Sequence, residues 1–141
     1  MVLPKYINQK HNRDCLQASY ANLLGIEYDL IPEFFLNYEE REKTDLFMVQ
    51  IDDFLNEIGH YRIKFDVSMI DGKLGVPFYC SLKTFKCIGT LEKKGAKYSH
   101  AVLLELKRNG LKYNIEIIHD PKVGSDYTID DLIQIEFILK K

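Results

Sequence analysis

Asn12-Arg13-Asp14-Cys15-Leu16-Gln17-Ala18 is a polar turn that runs straight into an apolar helical repeat. Leu16, Tyr20, Leu23 and Leu24 fall at i, i+4, i+7 and i+8, one face of a helix, and Asp14 with Gln17 reads as a variant capping box at its entrance. Cys15 is therefore expected in the first helical turn. There the unpaired backbone N–H groups and the positive end of the helix dipole favour a thiolate over a thiol, the form a sulfur nucleophile needs. The stretch points to a cysteine hydrolase and obliges the rest of the chain to supply a base and an oxyanion donor. The competing reading is structural, since free cysteine is among the most buried residue types and commonly packs as a small hydrophobe. Against it stand the Asn-Arg-Asp run, which argues for a partly wet setting, and a suitable histidine far downstream.

A chain of 141 residues is about the size of one domain with one hydrophobic core, so residues 1–141 are read as a single domain. Apolar residues at 46% and charged residues at 28% are ordinary for a soluble globular protein. A net charge of −2 and a pI near 6.1 give no basic footprint, which argues against nucleic acid as a partner. The apolar runs are too short to span a bilayer, and residues 1–8 lack the apolar core of a signal peptide, so no membrane association is expected and the chain is read as cytoplasmic. Cysteines at 15, 80 and 87 have no metal-ligand spacing and leave one thiol over in any disulfide scheme, in keeping with a reducing compartment.

Residues 1–8 read as an extended lead-in that packs Val2, Leu3 and Ile7 on the body. Gln9 stands six residues ahead of Cys15, where its amide can fold back and hydrogen-bond a developing oxyanion together with the Cys15 backbone N–H. On residue type alone, a solvated surface Gln is the simpler reading. Gly25 is the expected C-cap of the first helix, Pro32 marks a turn, and residues 38–45 form a charged, exposed connection. Over residues 45–58, Phe47, Ile51, Phe54, Leu55 and Ile58 hold helical spacing up to Gly59 and form a core stripe. Tyr61, Ile63, Phe65 and Val67 then alternate with polar residues, a strand expected to turn these four to the core. Gly72, Gly75 and Pro77 punctuate a turn before two strand-like runs at 76–81 and 84–90. Cys80 and Cys87 could face each other there, and free thiols are expected rather than a disulfide.

The polar loop 93–98 leads into Ser99-His100-Ala101-Val102-Leu103-Leu104-Glu105-Leu106, a strand with His100 near its first residue. A loop-to-strand junction holds a side chain on a rigid sheet and still lets it reach a cleft. Arg108-Asn109-Gly110 signals a hairpin, residues 113–118 return as the partner strand, and His119-Asp120-Pro121 stops the ladder. One helical turn at 130–134 and a last strand at 135–139 complete the order. The fold class is α+β: the Cys15 helix packs on a curved antiparallel sheet with the site in the cleft between them, and the second helix covers the remaining face.

Gln9, the Cys15 helix start, Ser99-His100-Ala101-Val102 on a later strand and His119-Asp120-Pro121 at the end of the next together resemble the papain-like cysteine peptidases. The likeness is to the small stand-alone bacterial and phage-encoded members and to the leader-peptide peptidase domains of bacteriocin exporters. It runs from Gln9 to Pro121, and Gly75-Val76-Pro77 is similar to that family's Gly-x-Pro step. Leu16 departs from the Gly that usually follows the Cys in exporter peptidases and matches the Asp-Cys-Leu-Gln-Ala opening of the stand-alone ones, which argues against double-glycine leader specificity.

The resemblance implies Cys15 as nucleophile, His100 as its base and acid, Asp120 as the residue orienting His100, and Gln9 with the Cys15 N–H as the oxyanion hole, without metal or organic cofactor. Three other histidines compete as bases. His11 reads as a rim residue and His60 as a cap on a helix end, whereas His119 is a direct rival. A two-residue Asn109-Gly110 loop would set His119 opposite His100 and turn Asp120 to the other face. Asp120 meets His100 only if a bulge or a three-residue loop shifts the register, and bulges cluster beside active sites. The function expected is hydrolysis of an amide, peptide or isopeptide bond in a protein or peptide substrate through a thioester, in the host's cytoplasm if the member is viral. Glutamine deamidation, acyl transfer, a catalytically inert binder and a plain structural protein stay open.

Overall fold

Helical spacing before residue 58 and strand spacing after it divide the chain, and the computed structural model follows that division over the residues it describes, 6–10, 14–32, 44–70, 73–75, 82–95, 99–110 and 112–141. Two helices come first, α1 (Cys15–Leu24) and α2 (Thr44–Glu57). The strands are β1 (His60–Asp66), β2 (Ser68–Ile70), β3 (Lys73–Gly75), β4 (Thr84–Leu91), β5 (His100–Asn109), β6 (Lys112–His119) and β7 (Leu132–Lys140). Five of them form an open antiparallel sheet in the order β1-β7-β4-β5-β6, and β2 and β3 make a separate hairpin. The fold is α+β, with α1 packed on β4 and β5 and α2 on β1. Among the described residues no helix is long and apolar enough to cross a membrane.

The centre of the sheet is buried on both faces, which explains the apolar run of β5, where His100 to Leu104 are all buried. On the helix side Tyr20, Ala21, Ile51, Phe54 and Leu55 close over Ile88 and Ala101. On the other side Cys87, Leu91, Val102, Leu104, Leu106, Tyr113 and Ile135 form a second cluster, with Phe65, Phe85 and Phe137 packed against it.

Four expectations need correction. Both helices lie on one face of the sheet, since Tyr20 of α1 and Ile51 and Leu55 of α2 share a cluster with Ile88 and Ala101, so α2 does not cover the remaining face as expected. Phe65 in β1 and Val67 just after it do pack on the second cluster, but Tyr61 and Ile63 are 42% and 39% exposed. β1 is an edge strand, and the cluster reaches only its far end. The opposite face of β1 turns Arg62 inward instead. Arg62 donates to Glu136 on β7 at 2.7 Å and to Asp52 on α2 at 2.6 Å, while the Tyr20 hydroxyl of α1 donates to Glu136 at 2.5 Å. The β5–β6 connection is also one residue later than expected, because Asn109 pairs with Lys112 and Gly110 (φ 66°) lies in the turn. Finally, β7 begins at Leu132 rather than 135 and lies between β1 and β4, a placement no local pattern signals.

Val2, Leu3, His11, Asn12, Arg13, most of the charged connection 38–45, Gly72, the 76–81 run with Pro77 and Cys80, residues 96–98 and the side chain of Phe47 lie outside the described residues. The readings placed on them, the Cys80–Cys87 pairing and the Gly-x-Pro step included, lie outside with them.

Candidate active site

α1 starts at Cys15 and stops at Gly25, whose left-handed backbone (φ 66°) sends its N–H to the Ala21 carbonyl. The Asp14 carbonyl accepts the first helical bond, from Ala18 N–H at 2.9 Å. The expected capping box is not made, because the Asp14 side chain makes no cap bond. Its fully buried carboxylate accepts Lys10 N–H at 2.7 Å and the Tyr28 hydroxyl. The Gln17 amide instead donates to the Ile31 carbonyl at 3.0 Å. Both side chains tie the helix entrance to segments folded back over it.

Cys15 is half-buried in the first turn of α1, where the helix crosses the start of β5. Its Sγ accepts the backbone N–H of Ala101 at 3.4 Å, so the sulfur lies beside the residue that follows His100. His100 is 6% exposed, and its Nε2 meets Asp120 Oδ1 at 2.6 Å. Its other nitrogen, Nδ1, is not engaged by Asp120, and Cys15 is near enough to raise the imidazole pKa. Burial alone would lower the imidazole pKa, but the bonded Asp120 carboxylate and the neighbouring Cys15 outweigh it and raise the value from 6.5 to about 9. Burial would likewise raise the Asp120 carboxyl. The bonds from His100 and from the Lys122 N–H at 2.9 Å, with the nearby Ser125 hydroxyl, hold it below its ordinary value instead.

A bulge brings Asp120 to His100. From Asn109–Lys112 to Leu104–Ile117 the β5–β6 ladder keeps step, then shifts so that Ile118 is extra and His119 faces Leu103. One more step at that register sets Asp120 against Val102, on His100's side of β5. Without the bulge Asp120 would fall against Ala101, on the other side. The same shift removes His119 from contention. Its Nε2–H donates to the Ile7 carbonyl at 2.8 Å and its ring lies on Tyr6. His60 Nδ1–H donates to the Ile58 carbonyl at 2.9 Å, just past α2.

Gln9 is brought to this corner through its backbone, its N–H donating to the Pro121 carbonyl at 2.8 Å, one residue beyond Asp120. Comparison with protein-family models, with curated proteins and with solved structures gave no match. What the site can do rests on its own atoms: a sulfur, an imidazole and a carboxylate in series, with a backbone donor on the sulfur. With Asp120 fixing the ring through Nε2, the imidazole can hold and release a proton close to the residue that binds the sulfur.

Sequence reasoning missed Tyr127. Its ring stacks on the His100 imidazole with centroids 4.9 Å apart and planes 25° from parallel, and Lys93 Nζ stands 5.3 Å from the Tyr127 ring. The sole local signal is a lone aromatic in the polar connection between β6 and β7.

Proposed function

We propose that the protein is a papain-like cysteine hydrolase that cleaves an amide, peptide or isopeptide bond in a protein or peptide substrate. The observation that carries the reading is the meeting of three groups at one corner: His100 Nε2 lies 2.6 Å from Asp120 Oδ1, and the Cys15 sulfur is held at 3.4 Å by the N–H of Ala101, the residue after His100. The Cys15 thiolate attacks the carbonyl carbon, and the new oxyanion is held by the Cys15 N–H and the Gln9 amide, a single such donor being worth about 3 kcal/mol. His100 passes its proton to the departing amine, leaving a thioester on Cys15. Water then adds to the thioester as His100 takes back a proton, and the acid product leaves. The expected setting is the cytoplasm.

Cys87 provides an internal control, since it is fully buried and burial pushes its thiol pKa up. Iodoacetamide should alkylate Cys15 well before Cys87, and His100→Ala should slow the Cys15 reaction. A native protein in which the two thiols react equally slowly is inert, and the hydrolase proposal fails. Product mass identifies the chemistry, because deamidation of glutamine adds one mass unit, acyl transfer joins two molecules and cleavage splits one. A Cys15→Ala variant used as bait should retain the uncleaved substrate.

A further inference from the structure

Asp14 occupies the N-cap of the helix that carries the candidate nucleophile, yet it does not cap. A bond from its carboxylate to the first-turn N–H groups would stabilise α1 by about 1 kcal/mol, and the structure forgoes it. The carboxylate is instead taken wholly out of water and, among the described residues, accepts the Lys10 N–H at 2.7 Å and the Tyr28 hydroxyl. A buried carboxylate is costly unless such bonds satisfy it, so its use here calls for an explanation outside helix stability. Lys10 is the neighbour of Gln9. The strap from Ile7 to Lys10 is pinned elsewhere too. Ile7 exchanges two bonds with the Asn22 side chain, at 2.8 and 3.0 Å, and Gln9 N–H is held by Pro121. Lys10 Nζ lies 4.5 Å from the Tyr28 ring centre and 3.5 Å from Asp29. Gln9 is thus clamped on one side to the residue after Asp120 and on the other to the residue before Cys15.

We infer that Asp14, backed by Tyr28, is a positioning residue that fixes the Gln9–Lys10 peptide so that the Gln9 amide meets the oxyanion formed at Cys15. The inference rests on the hydrolase reading above. In this role Asp14 acts through Gln9, so its effect belongs to steps that build an oxyanion.

Two reactions of the same thiol separate the roles. Alkylation of Cys15 by iodoacetamide is a displacement that forms no oxyanion, whereas hydrolysis of p-nitrophenyl acetate passes through a tetrahedral oxyanion. Asp14→Ala should lower kcat for the ester by roughly ten- to a hundredfold, the scale of a misplaced catalytic group, and leave the alkylation rate within about twofold. Asp14→Asn, which keeps an oxygen for the Lys10 N–H, should restore part of the loss, and Tyr28→Phe should cost less than Asp14→Ala. Gln9→Ala combined with Asp14→Ala should be no slower than Gln9→Ala alone. Equal losses in alkylation and hydrolysis, or losses that multiply in the double variant, would overturn the inference and leave the hydrolase reading standing. A native protein that neither hydrolyses the ester nor alkylates Cys15 ahead of Cys87 would overturn both. If Asp14→Ala does not fold, Tyr28→Phe and Asp14→Asn carry the same comparison.

Discussion

At pH 7 the imidazole of His100 holds its proton, because Asp120 and Cys15 outweigh the burial that would strip it. The pH profile of kcat/KM should therefore fall on its alkaline side near pH 9, as the acid that protonates the leaving amine is lost. Asp120→Asn removes the largest influence raising that pKa and keeps the burial, so its alkaline limb should move to lower pH. The same shift links to stability. A histidine raised from 6.5 to about 9 on folding stabilises the native state fully below pH 6.5, and the contribution disappears as pH climbs through 9. Melting temperatures of the native protein should decline over that window more steeply than those of Asp120→Asn. Asp120, held low, adds stability above its ordinary range that is lost in acid. The Tyr127 ring contributes by contact alone, so Tyr127→Phe should be neutral. Tyr127→Ala should lower kcat by roughly fivefold, what about 1 kcal/mol of ring stacking gives. Cys15 and His100 were legible because each begins a regular element whose pattern is strong. Tyr127 and the true partners of Asp14 were not, since a loop contact and a buried carboxylate are decided by distant chain rather than by neighbours in sequence.

Among the elements, β5 and β6 decide whether the candidate site exists. The sequence showed two strands and a turn, and the need for a register shift, but not where it falls; Ile118 is absorbed near the strand end, where a single pair, His119 with Leu103, follows it. α1 and α2 lie where helical spacing puts them, within about one residue. β1 turned out differently, for alternation says that two faces differ and leaves open which of them is covered. Packing across β4 gives a sharper test. A Cβ on Gly89 would stand 2.5 Å from Leu104 Cδ1 and 2.8 Å from its Cγ. Gly89→Ala should accordingly destabilise by roughly 1–3 kcal/mol, seen as a lower urea midpoint with an unchanged slope.

For the whole molecule, one ionic chain ties four elements together: Tyr20 of α1, Glu136 of β7, Arg62 of β1 and Asp52 of α2. Glu136 is 4% exposed, so Arg62→Ala would strand a buried carboxylate and should cost roughly 3–5 kcal/mol. Replacing both members, with Arg62→Met and Glu136→Leu, should cost clearly less in the same urea titration. None of this was legible, because its four residues come from three regions of the sequence and meet only through sheet order. That order has a consequence for synthesis. As a ribosome extends the chain, Gln9, Cys15, His100 and Asp120 have all been translated while the strand that joins β1 to β4 is still to come. On the hydrolase reading, the nascent polypeptide thus holds every proposed catalytic group before the sheet beneath them can close, and activity should appear only after β7 has left the exit tunnel.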